Sequence, residues 1–318
     1  MEININFNIQ VLMPPCENNN VQTQAFETSL KEALWQQYRK IAACRSHSTM
    51  NNYATAIRAL SEYLRNDISL QDLTADKLSG FERWLQHRGL CLNTISCYMR
   101  SLRSLMMAID ENTKKCFATV YTGNARTEKR SVPTDAIARL KALSLPIGSF
   151  PELARDVFLF SFYAMGMPFV DVAHLRRSQL EKGRFCYNRQ KTGQRIIVIV
   201  EPAMADIISR HVSRAGTDYV FPLLTTGSEQ EYRAVLGRYN RALHRLAIMA
   251  GIRANLTSYV VRHTWASTAY GANIDLSVIS KALGHTNPQT TLTYIREIDD
   301  QRLAKANREI IRKICYKT

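Results

Sequence analysis

From Tyr259 to Tyr294 the chain reads YVVRHTWASTAYGANIDLSVISKALGHTNPQTTLTY, and three residue types in it are spaced for work on a phosphodiester. Arg262 comes first, then Leu283-Gly284-His285, then Tyr294 nine residues beyond the histidine. A phosphodiester repels nucleophiles, and more negative charge gathers on its oxygens in the pentacoordinate transition state. A protein acting there without a metal must supply fixed cationic donors. A guanidinium suits the task because it is always charged and can hold two oxygens at once. A phenol ionises near pH ~10, so it becomes a nucleophile only where cations or a base ease loss of its proton. Arginine, histidine and tyrosine together can therefore break the bond and keep its energy in a phosphotyrosine, with no ATP. Taken singly, each has an ordinary reading: a surface arginine, a structural histidine, a half-buried tyrosine.

Taken together, residue types and spacing resemble the C-terminal signature of the tyrosine recombinase (phage integrase) family, where H-x-x-R-H is followed by L-G-H and then Y. The resemblance implies that Tyr294 attacks phosphorus, leaving a 3′-phosphotyrosyl link and a free 5′-hydroxyl. It makes Arg262 the second catalytic arginine and His285 a hydrogen-bond partner of the scissile phosphate. Lys191 matches the family's β-hairpin lysine, a general acid for the leaving 5′-oxygen. His263, beside Arg262, reads as structural. Two positions depart from the pattern. Tyr259 stands where the family has its first histidine, and it can hydrogen-bond but cannot be a cation. The family's first arginine falls in the stretch Ala164-Met165-Gly166-Met167-Pro168-Phe169-Val170-Asp171, where alignment on Gly166 puts Pro168 in its place. This GM-x-FVD form resembles the Bacteroidetes-type branch, which often carries an arginine just before the glycine; here that residue is Met165. Loss of one such donor typically costs about 10²–10³ in rate. Either Arg155, Arg176 or Arg177 fills the gap, or the chain is slow or disabled. Asp171 matches the acid that steadies the site arginines, and reads equally as a helix-surface or capping carboxylate.

The elements that must position these residues are mostly helical. Tyr53, Ile57, Leu60 and Leu64 share one face of a helix starting near Ser48. Thr74 caps a second, with core positions Leu78, Phe81 and Leu85 and an end near Gly89. Asn93 opens a third, with Ile95, Tyr98, Leu102, Leu105 and Ile109 inward. On it Arg100 and Arg103 share an outer face. Spacing alone makes that a solvated basic face; the resemblance of NTISCYMRSLRSL to the last helix of the recombinase core-binding domain makes it DNA-binding. Residues 183–200 give two β-rich runs around Lys-Thr-Gly-Gln, a hairpin with Gly193 at the bend. Val157 to Val170 carries no charge and reads as one buried helix, too short to span a bilayer. Helices are expected at 202–214, 229–250, 258–270, 275–283 and 288–294, and an amphipathic tail at 297–318.

The chain has 318 residues, 46% of them hydrophobic, enough for two modest cores. A net charge of +15 points to an anionic partner, and nucleic acid fits best. The seven cysteines (16, 44, 91, 97, 116, 186, 315) never form CxxC, which argues against a disulfide framework or zinc site and suits a cytoplasmic protein. No secretory signal is expected at the N-terminus. The chain therefore divides into an arm at 1–24, a helical core-binding (SAM-like) domain at 25–121, a linker at 122–133 and a catalytic domain at 134–318. The fold class is mainly α with a small β-hairpin or sheet. The resemblance implies a two-domain C-shaped DNA clamp, working as a tetramer on double-stranded DNA with inverted-repeat sites, with no cofactor, metal or membrane. Two rivals stay open: a DNA-binding regulator that has lost catalysis, and a type IB topoisomerase.

Overall fold

The computed structural model describes residues 29–125, 130–212, 216–285, 287, 289–292 and 307–308. The chain forms two compact units, Met1–Thr127 and Glu128–Thr318.

In the first unit four helices follow one another: α1 Leu30–Ile41, α2 His47–Leu64, α3 Ala75–His87 and α4 Leu92–Met107. Ser29, Ser46 and Thr74 each accept a hydrogen bond from the backbone N–H three residues on, satisfying donors the helix start leaves orphaned. The cap of α2 is thus Ser46, and the helix begins a residue before Ser48. Tyr53, Ile57 and Leu60 are buried with Leu78, Phe81, Leu85, Ile95, Leu102 and Leu105 in one core, as their spacing predicts. α4 starts one residue before Asn93, which frees that side chain for another job. Its amide donates to the Ala125 carbonyl (2.9 Å) and accepts from the Ala125 N–H (2.8 Å), fastening the segment after the helices onto α4. Arg100 is exposed on α4 and donates to Asn124 Oδ1 (3.3 Å), while Arg103 is half-buried.

The second unit is built around α6, Phe150–Tyr163, which packs against α5 (Thr134–Lys141), α8 (Pro202–Val212), α9 (Glu229–Met249) and α10 (Val260–Gly271). Phe158 and Phe160 on α6 are fully buried with Phe185, Phe221 and Tyr239. The same helix buries a carboxylate, Asp156, with no exposed surface. It is held by Arg155 Nε (2.9 Å), His211 Nε2 (2.8 Å) and Arg210 Nη2 (3.2 Å). Such burial is tolerable only with partners of this kind.

The apolar run 157–170 is not one helix. α6 stops at Tyr163, the backbone turns through left-handed Met165 (φ 58°) and Gly166 (φ 69°), and Pro168 starts the short α7, Phe169–Ala173. Glycine accepts such a turn readily, and proline presets the next helical start. Three antiparallel strands follow in the order β1 (Leu180–Glu181), β2 (Arg184–Asn188), β3 (Arg195–Ile199). Phe185, Tyr187, Ile196 and Val198 face the core, while Ile197 and Ile199 face outward. The β2–β3 connection runs from Arg189 to Gln194, longer than the expected four-residue turn, with Gly193 at φ 68°. α11 (Leu276–Ala282) and α12 (Gln289–Leu292) follow. Residues 213–214, 288 and 293–294 of the expected helices, most of the tail and the arm 1–24 lie outside the described residues. No helix among the described residues is long and apolar enough to cross a membrane.

Candidate active site

Three backbone turns and two helix starts bring the chemistry-bearing residues together in the second unit. Arg262 is the third residue of α10 and is only 2% exposed. Its Nη1 donates to the Gly166 carbonyl (3.0 Å), and its Nη2 donates to the Leu283 carbonyl. The same Nη2 lies 3.2 Å from His285 Nε2. A guanidinium has no lone pair to offer, so the imidazole accepts through Nε2. Its proton then sits on Nδ1, which donates to Thr291 Oγ1 at 2.8 Å. Thr291 is fully buried on α12 and precedes Tyr294 by three residues.

Two glycines let this happen. A Cβ on Gly166 would stand 3.1 Å from Arg262 Cα and 3.4 Å from Trp265 Cβ, so only glycine lets the α6–α7 turn lie against α10. A Cβ on Gly284 (φ 63°) would stand 2.8 Å from Ile196 Cδ1 and 3.2 Å from Arg189 Cδ, so only glycine lets the Leu-Gly-His turn close on the hairpin. Beneath that turn Leu283 packs with Ala266 and Ile279.

From the hairpin, Arg189 Nη1 donates to the Gly284 carbonyl (2.7 Å), and Thr192 Oγ1 donates to the same oxygen (3.3 Å). Arg189 is 6% exposed. Lys191 is exposed two residues later. Asp171 on α7 is buried and accepts the Gln190 N–H (3.0 Å) through Oδ1.

The charges are coupled. Burial, then the positive charge of Arg262, Arg189 and Lys191, holds the His285 imidazole down at about 4, well under its usual value. At neutral pH it is therefore an uncharged ring among three cations. Burial raises the Asp171 carboxyl above the ordinary range, while Arg189 and Arg262 pull it the other way.

Of the residues singled out from sequence, the structure thus brings together Arg262, His285 and Lys191, with Asp171 nearby. Tyr259 is the N-cap of α10, 47% exposed, with its ring edge-on to His263 at 5.0 Å between centroids. Tyr294 lies outside the described residues. Arg100 and Arg103 belong to the first unit. The residues expected to replace the missing first arginine are engaged elsewhere. Arg155 binds Asp156 and the Leu143 carbonyl, Arg176 pairs with Asp218 and lies over Tyr219, and Arg177 reaches the Val212 carbonyl. Arg189 was missed, because a strand-end arginine beside Gln190 and Lys191 reads as solvated.

Residues 149–301 match the model of the phage integrase family, and residues 29–115 match that of the phage integrase SAM-like domain. The chain belongs to the phage integrase family. Its relatives in that family include the tyrosine recombinase XerC of Rhodospirillum centenum, 23% identical over 92% of each chain. Among solved structures, it is similar to a lambda integrase tetramer bound to a Holliday junction, with TM-score 0.66, 18% identity, and 87% of this chain and 81% of that one covered. It is also similar to the XerH site-specific recombinase bound to a palindromic difH substrate, with TM-score 0.62, 20% identity, and 86% and 83% covered. These structural likenesses establish the shared fold.

Proposed function

We propose that this phage integrase family member is a site-specific DNA recombinase that cuts and rejoins duplex DNA through a phosphotyrosine. The observation that carries the reading is the buried Arg262 guanidinium set against a neutral His285 at 3.2 Å. A permanent cation and an imidazole able to take up a proton are what a metal-free phosphodiester transfer requires.

In the proposed reaction Tyr294 Oη forms a bond to phosphorus and gives up its proton to the unprotonated Nε2 of His285. The P–O5′ bond breaks as a non-bridging oxygen is held by Arg262, and the leaving 5′-oxygen takes a proton from Lys191. Attack by the 5′-hydroxyl of another strand reverses these steps and releases Tyr294. Tyr259, at the mouth of α10, is assigned a hydrogen bond to the phosphate in place of the family's histidine. Arg100 and Arg103 are assigned phosphate contacts along the duplex. Recombination between two sites places four copies on DNA, as in the lambda integrase assembly, and the sites carry inverted repeats. A cytoplasmic setting suits a DNA substrate and the five free thiols among the described residues.

A second reading, a DNA-binding regulator without catalysis, is favoured by one observation: neither Met165 nor Pro168 is a cation. A nicked duplex drawn from the DNA flanking the chain's own gene separates the two, incubated with EDTA and run on a denaturing gel. A covalent adduct with wild type and none with Tyr294→Phe supports the recombinase. DNA shifted on a native gel without any adduct supports the regulator.

A further inference from the structure

We infer that Arg189 supplies the second cation of the phosphate site, binding a non-bridging oxygen of the scissile phosphate in place of the arginine missing from the 164–168 turn. The inference rests on the recombinase reading and adds a residue that its family signature does not place.

The geometry comes first. Arg262 and Arg189 donate to consecutive carbonyls, Leu283 and Gly284, on the turn that ends in His285. Both guanidiniums are thus fastened to the same turn, and the charge of each bears on the His285 imidazole and on Asp171. One arrives from a helix start and the other from the hairpin. Gly284 permits the approach, since any side chain there would strike Arg189 Cδ and Ile196.

The hydrogen-bond inventory points the same way. Arg189 is buried, yet its Nε has no acceptor. A buried N–H left unpaired costs about 1–3 kcal/mol, and a fork with one arm anchored on a carbonyl still has donors for an anionic oxygen. Asp171, with Oδ1 on the Gln190 N–H, supplies a buried negative charge close to both arginines. Asp171 fixes the backbone one residue past Arg189, so the fork is held before DNA arrives. That prior ordering is what electrostatic catalysis requires.

The competing possibility is that Arg189 only pins the hairpin to the turn, so that its loss moves Lys191. Charge on the phosphate separates the two. Adduct formation is measured in single turnover on two nicked duplexes, one with a normal scissile phosphate and one with an uncharged methylphosphonate there. With Arg189→Ala, loss of an oxyanion donor slows the phosphate reaction by about 10²–10³. On the methylphosphonate the variant runs within a few-fold of wild type, because there is less charge to neutralise. Arg189→Lys, which keeps the charge and loses the fork, falls between, and serves if the alanine variant does not fold. Native-gel DNA binding and a melting curve verify folding. Equal fractional loss on both substrates overturns the inference in favour of a hairpin prop, and so does no loss on the phosphate. Absence of any adduct from wild type fails the recombinase reading instead and takes the inference with it.

Discussion

Gly166→Ala tests whether the α6–α7 turn positions Arg262. At φ 69° an alanine is strained by about 1–2 kcal/mol, part of which is returned because the unfolded chain loses freedom. The added methyl also meets Arg262 Cα at 3.1 Å and Trp265 Cβ at 3.4 Å. Neither is the end of a flexible side chain, so α10 itself must move, at a typical overpacking cost of about 1–3 kcal/mol. Gly183→Ala is the matched control, with φ 76° and nothing within 4 Å of the new methyl. The backbone contributions cancel between the two, leaving about 1–3 kcal/mol of packing. For a unit of this size that is about 2–12 °C of melting temperature, at roughly 2–4 °C per kcal/mol. The displacement also carries the guanidinium off the Gly166 carbonyl, and a misplacement of about 1 Å can cost 10²-fold in rate. Melting curves and adduct rates on a nicked duplex are read for both variants. If Gly166→Ala melts with Gly183→Ala and cleaves at its rate, the close approach does not position the arginine.

Three further outcomes are expected. His285 in the folded protein ionises near 4 against 6.5 when unfolded, so the unfolded chain binds more protons between these values. The stability it contributes is complete above about 6.5 and is lost as pH falls toward 4. Asp171, raised, opposes this slope, so DNA-free wild type should be compared with His285→Gln by urea unfolding; an unchanged pH profile refutes the assignment. Asp156→Asn leaves Arg155 and His211 buried without their anion and should cost about 3–5 kcal/mol in urea unfolding; a loss under about 1 kcal/mol would mean the network is slack. Arg100→Ala should weaken DNA binding alike on all sequences and reduce the slope of log affinity against log salt by about 0.9; an unaltered slope means that Arg100 makes no phosphate contact.

Much of the helical framework could be read in advance because each helix announces itself locally. Thr74 caps α3 and Leu78, Phe81 and Leu85 face the core, as a 3.6-residue period demands. Arg262 and His285 could be paired because their motif carries its own spacing. The break inside 157–170 was hidden for the opposite reason: where every residue is apolar, periodicity says nothing, and only Gly166 and Pro168 hint at a bend. The length of the β2–β3 connection was misjudged because Lys191-Thr192-Gly193-Gln194 looks like a complete turn, while Arg189 and Gln190 also belong to it. Arg189 is buried by Gly284, a partner 95 residues away, and no local pattern reports such a contact.

The two buried arginines of the site, Arg189 and Arg262, are tied to main-chain oxygens, those of Gly166, Leu283 and Gly284. A carbonyl is present whatever side chain a mutation brings, so the anchors at Leu283 are indifferent to its identity provided it fills the space beside Ala266 and Ile279. The cation geometry is thus encoded in backbone path and in two glycines rather than in a set of matched side chains. Such a site can drift widely in sequence while its charges stay in place. For an engineer this separates two kinds of position: 166 and 284 are fixed by shape, whereas the residues around them can be recast to meet a different DNA without rebuilding the centre.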